Sequence, residues 1–303
     1  MVRQYKIHTA FGTVNNEVID VTNGKVRFYQ PSNLGFTQSN SIVFADKIGV
    51  IGNSNVLQQD IQFKLETFGD NLAENYTLLR DFVQKLQKQS YITLEYQTDI
   101  FQVYADLVIS EVTKTEGYGK HGQFSETITF NVITKWYTYE QLTLKTFENS
   151  DVIQGISKIY GGTNNAYNYI PDTSYTYYGE YDINRLSRWQ IDYEIFSIYA
   201  VLTPTNTNID LTKENPFGIR FFDNDGNNYT SYLFNLTTKP EQITINTDVN
   251  NESYTAVVNG NSINIFSQIN FQYFRSRIFS TGTMELQNLD TAVINIKRKA
   301  DFI

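Results

Sequence analysis

The chain has 303 residues, with 24 lysines and arginines against 32 aspartates and glutamates, a formal net charge of -8. That acidic balance argues against nucleic-acid binding by bulk charge, and the absence of cysteine excludes a disulfide framework and cysteine-ligated zinc. Hydrophobic residues at 41% and charged residues at 18% mark a globular chain with room for two cores, and aromatics at 15% favour strands and contact surfaces.

The N-terminus "MVRQYKIHTAFG" holds no apolar core of signal-peptide length, and no stretch approaches the roughly 20 apolar residues of a membrane span. The expectation is a protein made and kept soluble in a cytoplasm. Short strands broken by turns fill the first sixty or so residues. "NEVIDVT" and "KVRFYQ" flank Asn23-Gly24, which predicts a two-residue hairpin with positive φ at both turn positions. Pro31 to Asn40 reads as a polar loop, and "SIVFADKIGVIG" and "IQFKLETF" lead into the one convincing helix. That helix is predicted over Asp70–Gln89, with Asp70 as N-cap. Leu72, Tyr76, Leu79, Val83 and Leu86 recur at alternating spacings of four and three, which predicts that they share its buried face.

After the helix come "YITLEYQ", "IFQVYADLVISEV" and "FSETITFNVITKW", in which Ile128, Phe130, Val132 and Trp136 fall at even spacing and predict one face of a sheet. The glycine-rich "TKTEGYGKHGQ" joins two of these long strands, so a hairpin with a projecting tip is expected there. One helix docked on one sheet is the reading for this half. A domain boundary is expected between Trp136 and Thr146, giving an N-terminal domain over 1–138 and a C-terminal domain over 139–303. Residues 147–172 are rich in Asn, Gly and Tyr without clear periodicity and read as an extension or a long loop. Beyond them the β pattern resumes, with hairpins expected about Asp225-Gly226 (a type I′ turn) and Asn259-Gly260, and Met284, Leu286, Ile294 and Ile296 as core positions. Many short strands at this turn spacing predict an antiparallel sandwich.

Little in the chain suggests catalysis. Its two histidines, His8 and His121, read as a structural strand residue and an exposed loop residue. No nucleophile elbow, P-loop or dinucleotide fingerprint occurs. Asp223, Asp225 and Asn227 begin like a calcium loop, but the sixth and twelfth positions are Asn228 and Phe234 where Gly and Glu are required. The cluster Lys297, Arg298, Lys299 reads as a solvated strand end rather than a phosphate site. No catalytic residue, cofactor or metal ligand is therefore expected. The tyrosines Tyr160, Tyr167, Tyr169, Tyr175, Tyr177, Tyr178 and Tyr181 are the most suggestive remaining feature, because tyrosine gives large contact area at low entropic cost. Tyr160, Tyr167 and Tyr169, in the segment of weak periodicity, are the candidate partner-binding residues.

Many blocks, in one order and over the full length, carry a resemblance: "MVRQYKIHT", "VTNGKVRFYQPSNLG", "FKLETFG", "IFQVYADL", "VTKTEGYGK", "ITKWYTYE", "SKIYGGT", "TSYTYYGE", "RLSRW", "INTDVN" and "INIKRKADF". They resemble the distal tail proteins of lactococcal siphophages, baseplate hubs of the sk1/p2 group. The resemblance implies a mainly β fold with one α-helix. It implies an N-terminal belt domain (β-sandwich, helix and long hairpin) and a C-terminal galectin-like sandwich with an arm, placed at about 145–172 with residues 203–216 as runner-up. It also implies a homohexameric ring in the virion tail tip that joins the major tail tube protein to the tail-tip protein and anchors receptor-binding protein trimers, touching neither nucleic acid nor membrane. A carbohydrate-binding module that recognises the host envelope directly is the alternative from another class.

Overall fold

The computed structural model describes residues 3–145 save 14, 36, 115–118 and 120–121, and residues 195–300 save 207, 212–214 and 276–281. Between these it describes the strand pieces 147–148, 157–160, 167–170, 185–186 and 188–191. The chain divides into two compact units, Met1–Thr138 with Ala300–Ile303, and Tyr139–Lys299.

The first unit holds β1 (Gln4–His8), β2 (Val18–Asp20), β3 (Val26–Ser32), β4 (Thr37–Ala45), β5 (Ile48–Leu57), β6 (Ile61–Thr67), α1 (Leu72–Gln87), β7 (Ile92–Gln97), β8 (Gln102–Val112) and β9 (Ser125–Val132). Seven of the strands pair in the order β2-β1-β7-β8-β9-β6-β3. The Phe28 amide donates to the Val21 carbonyl at 2.7 Å, so the order turns back on itself. Alternation builds the core. Ile61, Phe63 and Leu65 are each fully buried while Gln62, Lys64 and Glu66 between them are not, and a one-residue slip would exchange the two sets. Ile128 and Phe130 of β9 are fully buried as expected. Trp136 lies beyond the strand's end, buried, with its indole N–H on the Leu34 carbonyl at 3.0 Å.

The helix forms where expected and spans about 24 Å at 1.5 Å per residue, but its buried face is rotated by about one residue. Its cap is Asn71, whose side chain accepts from the Glu74 amide, in place of Asp70. Asn75, Phe82 and Leu86 are buried, with Leu78, Leu79 and Val83 packed alongside, whereas Leu72 and Tyr76 are 41% and 54% exposed. The reason is polar. The Asn75 carboxamide bonds the Gly69 amide and the carbonyls of Gly69 and Asn71, so burying it ties the helix start to the preceding turn. Phe82 then meets Phe28 edge-on at 5.9 Å.

Turn chemistry also departs from expectation. Neither Asn23 nor Gly24 has positive φ; the Asp20 carboxylate accepts from the amides of Thr22 and Asn23 and shapes that turn instead. Gly24 is needed there for space, since a Cβ would stand 2.2 Å from the Asp20 carbonyl oxygen.

The second unit holds β10 (Tyr137–Lys145), β11 (Phe147–Glu148), β12 (Ser157–Tyr160), β13 (Tyr167–Ile170), β14 (Arg185–Leu186), β15 (Arg188–Ile191), β16 (Ile195–Pro204), β17 (Phe217–Phe222), β18 (Asn228–Phe234), β19 (Gln242–Asn246), β20 (Ser253–Val258), β21 (Asn261–Asn264), β22 (Gly282–Gln287) and β23 (Leu289–Lys299). Two sheets, β10-β23-β16-β19-β20-β21 and β15-β22-β17-β18, enclose one core. Phe217, Ile219 and Phe221 from one sheet join Ile198, Ala200, Ile243, Ile245, Ile294 and Ile296 from the other. Met284 and Leu286 are buried with them, at their expected positions. The Asn259-Gly260 turn has positive φ at both residues, as a type I′ turn requires. At Asp223–Asn227 only Gly226 is left-handed, at φ +84, so the hairpin stands but the turn is not type I′. The Asp223 carboxylate there accepts from the amides of Asp225 and Asn227.

Candidate interaction surface

β4 and β5 pair with each other and with no further strand among the described residues. Their first half is polar and uncharged: Gln38 donates to Ser54, which donates to Asn40. The half nearest the turn is apolar. Ile42 lies opposite Ile51 and Phe44 opposite Gly49 on one face; Val43 lies opposite Val50 and Ala45 opposite Ile48 on the other. Phe44 is 72% exposed, Ile48 71%, Ile51 65% and Val43 64%. A solitary two-stranded ribbon is marginal in water, and unpaired edges beside apolar side chains invite association. Such a surface is built for a neighbour.

The sequence reading assigned the start of the first strand, Thr37 to Asn40, to a loop and expected a projecting hairpin tip at residues 113–123. Gln38 to Ser41 are polar on both faces, so no alternation betrayed a strand. The described end of the β8–β9 connection, Gly122 to Phe124, lies against the helix. A Cβ on Gly122 would stand 2.6 Å from the Leu72 Cα, and Phe124 packs on Tyr76 at 6.4 Å between ring centroids. His121 and residues 115–118 lie outside the described residues.

Tyr160, Tyr167 and Tyr169 fall on the β12–β13 ribbon, Tyr160 opposite Tyr167 and Tyr169 opposite Lys158. Backbone register thus brings the three positions onto one ribbon, with strand pairing where the sequence showed no period. Their side chains, and Tyr175 to Tyr181, lie outside the described residues.

The polar groups with chemical potential are engaged in structure. His8 is buried, its Nε2 at 2.7 Å from Glu95 Oε2 and its Nδ1 at 2.9 Å from the Asn16 side-chain Nδ2. Lys6 reaches the other Glu95 oxygen at 2.7 Å. Burial alone would raise the Glu95 carboxyl, but the bonds from His8 and Lys6 outweigh it and hold the group down at about 2. Tyr137 is fully buried and donates to Asp106 at 2.6 Å; burial and that carboxylate push its hydroxyl well above the ordinary phenol range. Lys297 corrects the solvated-strand-end reading. It is buried and paired with Asp248, while Arg298 meets Glu140 at 3.3 Å. Among the described residues no three acidic or histidine side chains converge as a metal site would require.

Exposed apolar ribbon, two sheet-built units and polar groups spent on structure define a class: a mainly β structural subunit that presents surface to neighbours. Residues 4–133 match the family described as distal tail protein, N-terminal domain, and residues 135–303 the family described as Dit, C-terminal domain. The chain is 54% identical to the distal tail proteins of Lactococcus phages p2 and SK1, over all of this chain and all of each relative. It superposes with a TM-score of 0.80 and 53% identity, over the full length of both chains, on a chain of the phage P2 baseplate in its activated conformation with calcium. The chain belongs to the distal tail protein family. It is a structural component of the baseplate in the virion tail.

Proposed function

We propose that six copies close into a ring through the N-terminal domain, residues 1–138, and that this ring joins the tail tube to the tail-tip protein. The C-terminal domain, residues 139–303, is a galectin-like sandwich outside the ring. Its arm, about 145–172, anchors receptor-binding protein trimers through Tyr160, Tyr167 and Tyr169. The observation that carries the ring is the β4–β5 ribbon, apolar on both faces near its turn and paired with no further strand among the described residues. A heterologous contact that closes covers every such surface without leaving a free end. Six copies of 35.0 kDa make about 210 kDa, so light scattering on a sizing column with negative-stain imaging tests the ring. Rings with six outward lobes are expected, and a chain that stays monomeric alongside its tail partners overturns the proposal. Triple substitution of Tyr160, Tyr167 and Tyr169 by Ser is expected to leave the ring intact and to weaken capture of receptor-binding protein.

A further inference from the structure

The ribbon's end has two apolar faces, so a flat partner would cover one and leave the other in water. A cleft with two apolar walls covers both. One such cleft, of about 330 Å³, lies on the first unit between the last turns of α1 and strand β8. Val83 and Leu86 line the helix side and Ile109 and Val112 the strand side, with Gln87, Gln89 and Ser110 as uncharged polar neighbours. Among the twelve lining residues Glu111 alone is charged. The helix's other flank also has a groove, but Glu17, Asp20, Lys25, Asp81 and Lys85 line it, and Lys85 bridges to Glu17 at 2.5 Å. An apolar tip entering there would have to desolvate or break those charges.

We infer that the β4–β5 turn of one copy inserts between α1 and β8 of the next, with Phe44 and Ile48 as anchors on opposite faces. This rests on the ring reading and gives it a specific contact. Phe44 and Ile48 are the two most exposed apolar side chains of the ribbon, and one enters against each wall. The volume suits a pair of side chains and not a whole ribbon, which leaves the uncharged Gln38–Ser41 stem outside the cleft. Lys47, the cation of the turn, arrives beside Glu111, the carboxylate of the rim. The occupant is a second copy because tip and cleft match in polarity, in number of faces and in this charge pair, and the same chain carries both.

The cysteine-free sequence makes the test clean. The full-length Lys47→Cys/Glu111→Cys variant, assembled and then mildly oxidised, is expected to run as a covalent ladder that a reductant collapses to monomer. A companion Lys47→Cys/Asp81→Cys variant is expected to give none. The groove-filling Val108→Trp is expected to disperse the ring with the thermal midpoint held. Rings that form by light scattering yet cross-link through Asp81→Cys, or through neither site, overturn the docking and leave the ring standing. A protein that is monomeric in every variant and in the parent, even alongside its tail partners, overturns both.

Discussion

The β6 strand and the β4–β5 ribbon are written in the same residues and end in opposite environments. Ile61, Phe63 and Leu65 are fully buried, whereas Ile42, Phe44 and Ile48 are half or more exposed. The difference lies in what covers them. β6 runs between β3 and β9 with α1 packed nearby, while among the described residues β4 and β5 pair only with one another. Apolar content therefore measures how much surface must be removed from water, and not whether the same chain removes it.

Substitutions sharpen this contrast. The largest effect on folding is expected from Phe63→Ala, whose ring meets Tyr5 at 5.2 Å and Phe28 at 4.7 Å. It should cost about 3–5 kcal/mol in urea unfolding, and a loss under about 1 kcal/mol would mean that the first unit's core lies elsewhere. Glu95 comes next. Its carboxyl lies at about 2 in the folded chain against 4.5 as the ordinary value, so its stabilisation is fully present above about pH 4.5 and lost as pH falls towards 2. Screening by solvent reduces the full linkage value, so the acid-induced loss at this group is on the order of 1–3 kcal/mol. Glu95→Gln should flatten that part of the pH–stability curve, and an unchanged curve would show that His8 and Lys6 do not hold the carboxylate. Asn75→Ala should cost about 1–3 kcal/mol by orphaning the groups its carboxamide satisfies, read as a lower thermal midpoint with the fold retained. Phe44→Ser should change monomer stability least, within about 0.5 kcal/mol, yet abolish the large species in light scattering. If it unfolds the chain instead, the ribbon is core and the contrast fails.

Particular residues show how far local pattern carried. The Asp70–Gln89 helix, the Asn259-Gly260 turn and the buried Met284, Leu286, Ile294 and Ile296 were legible because propensity, φ requirements and period act over a few neighbours. The helix's rotation was not legible, since Asn75 is buried by bonds to Gly69 that a hydrophobic count does not register. Asn23-Gly24 misled for a similar reason, because Asp20 offered its turn amides a competing acceptor. The candidate surface divided in the same way. Tyr160, Tyr167 and Tyr169 were picked by residue type within a segment of weak periodicity, and their backbone positions share one ribbon. The β4–β5 ribbon went unread only at the start of its first strand, Thr37 to Asn40, since polar positions on both faces leave no alternation to find.

By itself the sequence determined a mainly β chain with one helix, no cysteine chemistry and, through its many matched blocks, its family. Only the tertiary structure decided which apolar segments are core and which are surface, where Lys297 and Glu95 find their partners, and that β4 and β5 stand apart from the closed order of strands. Those outcomes depend on pairings between residues tens of positions apart, such as Lys6 with Glu95 and Asp248 with Lys297. Burial and electrostatic pairing act through space, while the period of a sequence reports only on its near neighbours.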